Sequence, residues 1–372
     1  MRAFGLSLIV LLIGVRAGAQ QITTTVATPE QSSPVPAAIS ENAGCLKCHE
    51  PILALLKKNV IHPAVDMGCA TCHADHQAAG AKPDPKARAN HYLNGSQPEL
   101  CATCHDTKDK ALAAAHRGQP AEKATCTGCH NPHGSDNPKL IATHTHPPFA
   151  ARQCEKCHQA PQDGKVKLVA ASAMALCEGC HIDFKARYEK SKVKHTAIEM
   201  DENSCLTCHR PHASEQPRLL QAKVTTLCSG CHEDKPGTKK FVHAPVSTNC
   251  AICHDPHSSD FSQRLRANVN QVCLECHGSD AARRLQKTPL ALFNGQVKLP
   301  GVPFHEVKLL PVRSDQHQGH PSPGHPVESP ASGKMPAVSC VTCHNPHSSD
   351  SGELRLNTES GDTSDLCLRC HK

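Results

Sequence analysis

Cysteine and histidine recur together in one fixed spacing along this 372-residue chain. Twelve times, two cysteines three positions apart are followed at once by histidine. The first six triplets are Cys45, Cys48 and His49; Cys69, Cys72 and His73; Cys101, Cys104 and His105; Cys126, Cys129 and His130; Cys154, Cys157 and His158; and Cys177, Cys180 and His181. The other six are Cys205, Cys208 and His209; Cys228, Cys231 and His232; Cys250, Cys253 and His254; Cys273, Cys276 and His277; Cys340, Cys343 and His344; and Cys367, Cys370 and His371. This is the attachment sequence for c-type haem. Its two thiols add to the haem vinyl groups, and the adjacent imidazole falls under the iron as proximal ligand. The triplets use all 24 cysteines, leaving none for a disulfide, a catalytic thiol or a lipid anchor. Zinc ribbons share the Cys-x-x-Cys half of the pattern, but zinc does not require the histidine that follows every pair here. The reading is twelve covalently bound haems.

A haem iron with a second axial ligand is an electron carrier, and one with an open position can be an enzyme. Of 28 histidines, 16 lie outside the motifs. His62, His91, His116, His146 (or His144), His195 and His243 precede a motif by seven to ten residues, and His325 lies fifteen before Cys340. His76, His133, His212, His257 and His347 each follow a motif histidine by three residues. A residue so placed sits on the proximal side of its own haem and must serve a neighbour. Together these give twelve distal candidates for twelve irons. His212 is expected to serve the next motif, at Cys228, which has no upstream histidine of its own. The surplus is His144, His305, His317 and His320. Methionine, which would raise a potential, is not needed, since histidine covers every site; low potentials follow.

The elements that must position these residues are short. Residues 52–58, 108–116 and 184–194 are helical candidates. No strand pattern stands out, although residues 296–312 could form a hairpin. The segment 205–232 (two motifs with a Pro-His behind the first) is repeated at 250–277 and again in the final motif pair. Motif spacing is 22 to 32 residues except before Cys340, where it is 67. Residues 278–339 are therefore an insertion, rich in Pro and Gly, between a ten-motif region at 45–277 and a C-terminal pair at 340–372. The period suggests a quasi-linear stack. The fold class is mostly irregular with short α-helices, elongated, and organised around a chain of twelve haems.

Composition agrees. Aromatics are 2% of the chain, with no Trp, while Pro numbers 29 and Gly 22. Such a chain cannot bury an ordinary core. Twelve apolar macrocycles, one per 27 residues or so, would supply the missing buried surface. The apoprotein is therefore expected not to fold. At the N-terminus Arg2, an apolar run at 4–15 and Ala17-Gly18-Ala19 read as a secretory signal over residues 1–19. Residues 20–44 read as a flexible lead-in. Export suits the chemistry, because haem is joined to such motifs outside the bacterial cytoplasm. Losing the signal takes the formal charge from +6 to +4. Two ionised propionates per haem then bring it to −8 with all irons ferric and −20 with all ferrous. The apparent basicity is thus no argument for a nucleic-acid partner.

With its units of the form His-x-Pro, CxxCH, Pro-His, CxxCH, as in residues 243–277, the chain resembles the multihaem c-type cytochromes with paired motifs. It looks most like the decahaem periplasmic and porin-associated ones. The resemblance implies a continuous haem chain with stacked and T-shaped neighbours. It also implies a redox donor such as an inner-membrane or periplasmic quinol-linked cytochrome, an acceptor, and an outer-membrane β-barrel porin. Twelve motifs and the insertion depart from the decahaem pattern. The function expected is electron transfer toward extracellular acceptors, in the periplasm or across the outer membrane, and no catalytic residue is assigned. Alternatives are a self-associating extracellular cytochrome filament and a multihaem reductase with an open-site haem. The reductase ranks last because all twelve motifs end in histidine.

Overall fold

A computed structural model of the chain describes residues 43–74, 92–118, 124–160, 162, 167–232, 237–278, 281–301, 307, 309, 339–356, 358 and 364–368. The expected signal, nearly all of the lead-in and most of the insertion lie outside the described residues. So do His76, His91, His305, His317, His320, His325, Cys370 and His371.

Each fully described motif makes one tight turn. Motif spacing puts the two cysteines and the histidine at i, i+3 and i+4, which fall on one side of a helical turn. The amide of the motif histidine closes that turn onto the carbonyl of the first cysteine, at 3.0 Å from His49 to Cys45 and 2.9 Å from His181 to Cys177. Some motifs end a short helix, as in Gln97–Ala102, Ala173–Glu178, Val224–Ser229 and Val269–His277. Others are a lone 3-10 turn, as in Cys69–Thr71, Cys126–Gly128, Cys154–Lys156, Cys250–Ile252 and Cys340–Thr342. The helices start at polar caps, with Ser172 accepting from the Ala175 amide and Asn268 from that of Gln271.

Ten minimal strands form five antiparallel pairs. Four pairs join distant parts of the chain: β1 (Val60–Ile61) with β2 (Gly134–Ser135), β3 (His144–Thr145) with β5 (Ala213–Ser214), β4 (Val193–Lys194) with β7 (Ser258–Ser259), and β6 (Phe241–Val242) with β10 (Ser348–Ser349). The fifth is a hairpin of β8 (Leu290–Leu292) and β9 (Val297–Leu299). Gly134 is required in β2: a Cβ there would lie 2.2 Å from the Leu55 carbonyl oxygen.

Among the described residues one apolar cluster stands out, made by Ile252, Leu290, Leu292, Phe293 and Val297. Elsewhere the buried side chains are small, such as Ala142, Ala213, Ser135, Ser214 and Ser258. The sparse regular structure matches the expectation from sequence, with three differences. The helix expected at 184–194 runs Ile182–Lys190, because Val193 and Lys194 are drawn into a strand against Ser259 and Ser258. A hairpin spans 290–299, with 297–299 pairing back onto 290–292, while most of 302–312, where a hairpin was expected, lies outside the described residues. The interunit strands went unseen because two residues are too few to show alternation. Among the described residues no helix is long and apolar enough to cross a membrane.

Candidate haem sites

The four interunit strand pairs all do the same thing. Each runs directly into two histidines whose backbones are paired. The amide of His62 donates to the carbonyl of His133 at 3.1 Å, His146 to His212 at 2.9 Å, His195 to His257 at 2.8 Å, and His243 to His347 at 3.0 Å. In each case a histidine lying before a motif meets one lying after a later motif. Their rings then diverge toward two different motif histidines.

Eight imidazole pairs result, and His116 with His130 makes a ninth among the described residues, each matching one motif histidine with one outside the motifs. His62 faces His105, His133 faces His73 and His116 faces His130, each at 6.1 Å between ring centroids. His146 faces His181 at 6.2 Å, His212 faces His158 at 5.7 Å, and His195 faces His232 at 6.2 Å. His257 faces His209 at 6.1 Å, while His243 and His277, and His347 and His254, are 6.0 Å apart. The Nε2 atoms of His158 and His212 are 3.5 Å apart.

The other ring nitrogen is held elsewhere. Nδ1 of the motif histidines His130, His209, His254 and His344 lies 2.7 to 3.0 Å from the carbonyls of Lys139, Arg218, Gln263 and Glu353. Nδ1 of His195 and His243 lies 2.8 and 2.9 Å from the carbonyls of Pro256 and Pro346. His62 and His146 bond the carbonyls of Pro132 and Pro211 in the same way. Donation through Nδ1 fixes the tautomer and leaves the Nε2 lone pair for a metal. Burial lowers the pKa values of His62, His146, His195, His212, His243 and His347, and pushes His257 down to about 4. A neutral imidazole is the ligand form.

The four accepting carbonyls stand on strained loops. Lys139 and Leu140, Arg218 and Leu219, Gln263 and Arg264, and Glu353 and Leu354 all have φ between 53° and 59°. Each left-handed non-glycine residue costs about 1–2 kcal/mol, so something must hold the loop. A serine does. Ser135, Ser214, Ser259 and Ser349 each donate through Oγ to the carbonyl of Ile141, Leu220, Leu265 and Arg355. The acid that follows reaches the neighbouring unit: Asp136 accepts from the Asn59 amide at 3.3 Å, Asp260 from Lys192 at 3.2 Å, and Asp350 from Lys240 at 3.3 Å. Glu215 instead accepts from the Thr143 hydroxyl at 2.7 Å. Sequence reasoning passed over these residues, though a signal was present. His-Gly-Ser-Asp, His-Ala-Ser-Glu and twice His-Ser-Ser-Asp follow the prolines at 132, 211, 256 and 346.

These residues fit haem. Metal–imidazole bonds are about 2 Å, so one metal between two facing rings sets their centroids about 6 Å apart. Two protein ligands per centre is what an iron needs when a porphyrin fills its other positions. No group of three or more His, Cys, Asp or Glu side chains suited to a metal ion occurs among the described residues, unlike a zinc ribbon. Every described cysteine is free. A continuous cavity of about 3070 Å³ runs past the seven motifs from Cys177 to Cys367, or about 440 Å³ per motif, the size of a single ligand site.

Among the described residues, nine of the eleven steps between motifs adjacent in sequence are joined directly. Strand clips join the Cys69 site to the Cys101 site, Cys154 to Cys177, Cys205 to Cys228, and Cys250 to Cys273. Between clips the side chains of the first cysteines of successive motifs come together: Cys45 with Cys69, Cys101 with Cys126, Cys177 with Cys205, Cys228 with Cys250, and Cys273 with Cys340. Two expectations about pairing are corrected. His212 lies against His158 of the Cys154 motif, behind it in sequence, and not against His232 of the Cys228 motif. Of the histidines upstream of a motif, His116 faces the motif it precedes, whereas His62, His146, His195 and His243 face the one after. Both follow from the strand clip, which lets a unit borrow one histidine from the next. His144 sits in β3 opposite Ser214, and Met67 and Met200 are 63% and 77% exposed.

Six stretches, residues 62–110, 119–145, 146–186, 195–237, 243–282 and 330–372, match the family described as the doubled CXXCH motif. The chain belongs to this family of multihaem c-type cytochromes. Over 222 residues it is 29% identical to the multiheme cytochrome MtrA of Shewanella baltica (strain OS185), covering 55% of this chain and 56% of that one. The chain thus spans just over half the length of this curated relative of the doubled-CXXCH type. Four of the six family ranges begin at His62, His146, His195 and His243, four of the clip histidines, so there the doubled motif and the structural unit share a boundary.

Proposed function

We propose that this cytochrome carries electrons along twelve bis-histidine haems whose order in space follows the chain. The observation carrying this reading is the set of nine imidazole pairs at 5.7 to 6.2 Å, each joining a motif histidine to one outside the motifs. When bound, the haems supply one-electron chemistry, an electron passing between neighbouring irons with no bond made or broken.

The protein's part is to fix geometry. The paired thiols of each motif would hold the macrocycle covalently, and the motif histidine would supply one ligand to its iron. His62, His116, His133, His146, His195, His212, His243, His257 and His347 would supply the other. His76, His91 and His325 are left for the sites at Cys45, Cys340 and Cys367. With both axial positions filled by protein there is no vacancy for substrate, which favours transfer over catalysis. Carbonyls that accept from Nδ1 raise ligand basicity and stabilise the ferric state, in keeping with low potentials.

Residues 1–19 would direct export, 20–44 serve as a linker, 45–277 hold ten haems and 340–372 two. In the periplasm or at the outer membrane, the chain would take electrons from a quinol-linked cytochrome and deliver them outward, through a β-barrel porin by resemblance. Intact mass and a pyridine haemochrome assay count the haems, and electron paramagnetic resonance reports the ligands. Twelve haems with low-spin signals are expected. Fewer than twelve, or substantial high-spin iron in a fully loaded sample, would overturn the proposal.

A further inference from the structure

The insertion after residue 278 begins with a feature that no other described unit carries. Helix Ala281–Leu285 and the β8–β9 hairpin fold back over two adjacent sites. Leu290, Leu292, Phe293 and Val297 alternate inward, at 0%, 1%, 5% and 6% exposed, and pack on Ile252, Cys253, Val272 and Cys276. Arg284 pins the helix. Its guanidinium donates to the carbonyls of Leu274 and Glu275 at the end of helix Val269–His277 and pairs with the Glu275 carboxylate at 3.5 Å.

The two covered sites differ from their counterparts. Among motifs carried on a short helix, the second cysteine is exposed at Cys48, Cys104, Cys180 and Cys231, whereas Cys276 is half-buried and packs against the cap. The residues between the cysteines are exposed as Ala70 and Thr71, Glu155 and Lys156, and Val341 and Thr342. In the Cys250 motif they are Ala251 and Ile252, at 8% and 3% exposed. Ile252 stands where the other eleven motifs carry Thr, Lys, Gly, Glu or Arg. The apolar residue and the cap therefore belong together.

We infer that residues 281–299 are an insulating cap that closes the cysteine edges of the Cys250 and Cys273 sites to solvent. These sites become inner relays, and electrons enter and leave the chain elsewhere. This rests on the haem reading above. A ferric haem core carries one more positive charge than a ferrous one, and removing water penalises the charged form. The cap thus raises the reduction potentials of two sites above those of their uncapped equivalents, since burial is one of the protein's levers on a haem. It also blocks lateral loss of electrons to small solutes on the way to the Cys340 site.

The test compares the parent holoprotein with Ile252→Thr and with a variant whose residues 281–299 are replaced by a short Gly-Ser linker. Haem content by haemochrome, spectroelectrochemical titration, and stopped-flow reoxidation by ferricyanide are measured on each. Both variants should keep full haem content. Part of the titration, equivalent to at most two sites, should move to lower potential, and a faster reoxidation phase of the same amplitude should appear. If the linker variant loses haem, Ile252→Thr decides. Unchanged titration and reoxidation in haem-replete Ile252→Thr would overturn the cap's role. Absence of covalent haem from the parent protein would instead overturn the haem reading.

Discussion

The backbone amide of His195 donates to the carbonyl of His257 at 2.8 Å, yet the two imidazoles face different partners, His232 and His209. One hydrogen bond therefore positions two imidazoles that face two neighbouring motifs, and the two histidines come from successive repeat units. The same relation holds for His62 with His133, His146 with His212, and His243 with His347. A unit in this cytochrome is completed by the one that follows it.

Replacing His212 by Ala should alter the site at Cys154, since His212 faces His158 at 5.7 Å. The sites at Cys205 and Cys228 should stay bis-histidine, because His257 and His195 face their motif histidines. Electron paramagnetic resonance should show about one low-spin signal in twelve becoming high-spin. A Cys154 peptide haem that is unaffected, with the change at Cys228 instead, would defeat the clip scheme.

Ser259→Ala should destabilise without loss of haem. The hydroxyl donates to the Leu265 carbonyl and accepts from the Phe261 amide at 3.0 Å. A partly buried acceptor left unsatisfied costs about 1–3 kcal/mol. Denaturant unfolding of the holoprotein, followed by the haem absorption band, measures the cost.

Gln263 sits at φ 54° with its carbonyl 2.8 Å from His254 Nδ1. Gln263→Gly should be neutral or stabilising by up to about 1 kcal/mol, because glycine adopts this conformation freely but loses more chain entropy on folding. Gln263→Val should destabilise by about 1–3 kcal/mol, a branched side chain being poorly accommodated there. Thermal melts of the two variants should differ in that order.

Gly134→Ala should be poorly tolerated. The new methyl would meet the Leu55 carbonyl, which is backbone and cannot rotate away. Overpacking of this kind costs about 1–3 kcal/mol. Its neighbour His133 faces His73, so a raised high-spin fraction at the Cys69 site should accompany the loss of stability.

Chain produced without haem attachment should show no cooperative unfolding. Its buried apolar residues are few and mostly alanines outside the cluster at Ile252 and Leu290, too little to offset chain entropy of about 1–2 kcal/mol per residue. Circular dichroism of the apoprotein through a thermal ramp tests this; a sharp, reversible transition would contradict it.

Sequence alone determined the chemistry. Twenty-four cysteines in twelve Cys-x-x-Cys-His triplets mark the chain as a multihaem c-type cytochrome, because i, i+3, i+4 spacing brings two thiols and an imidazole together within a single turn whatever surrounds it. It also singled out a set of other histidines as distal candidates, and all nine described members of that set face a motif histidine. Which faces which was decided by the tertiary structure. His212 is three residues from His209 and 54 from His158, yet it faces His158. The cause is a two-residue strand pairing, too short to leave a periodic trace in sequence. The carbonyls of Lys139, Arg218, Gln263 and Glu353 were equally hidden, because a backbone acceptor has no residue type. Their usefulness comes from a left-handed turn that a distant serine holds in place.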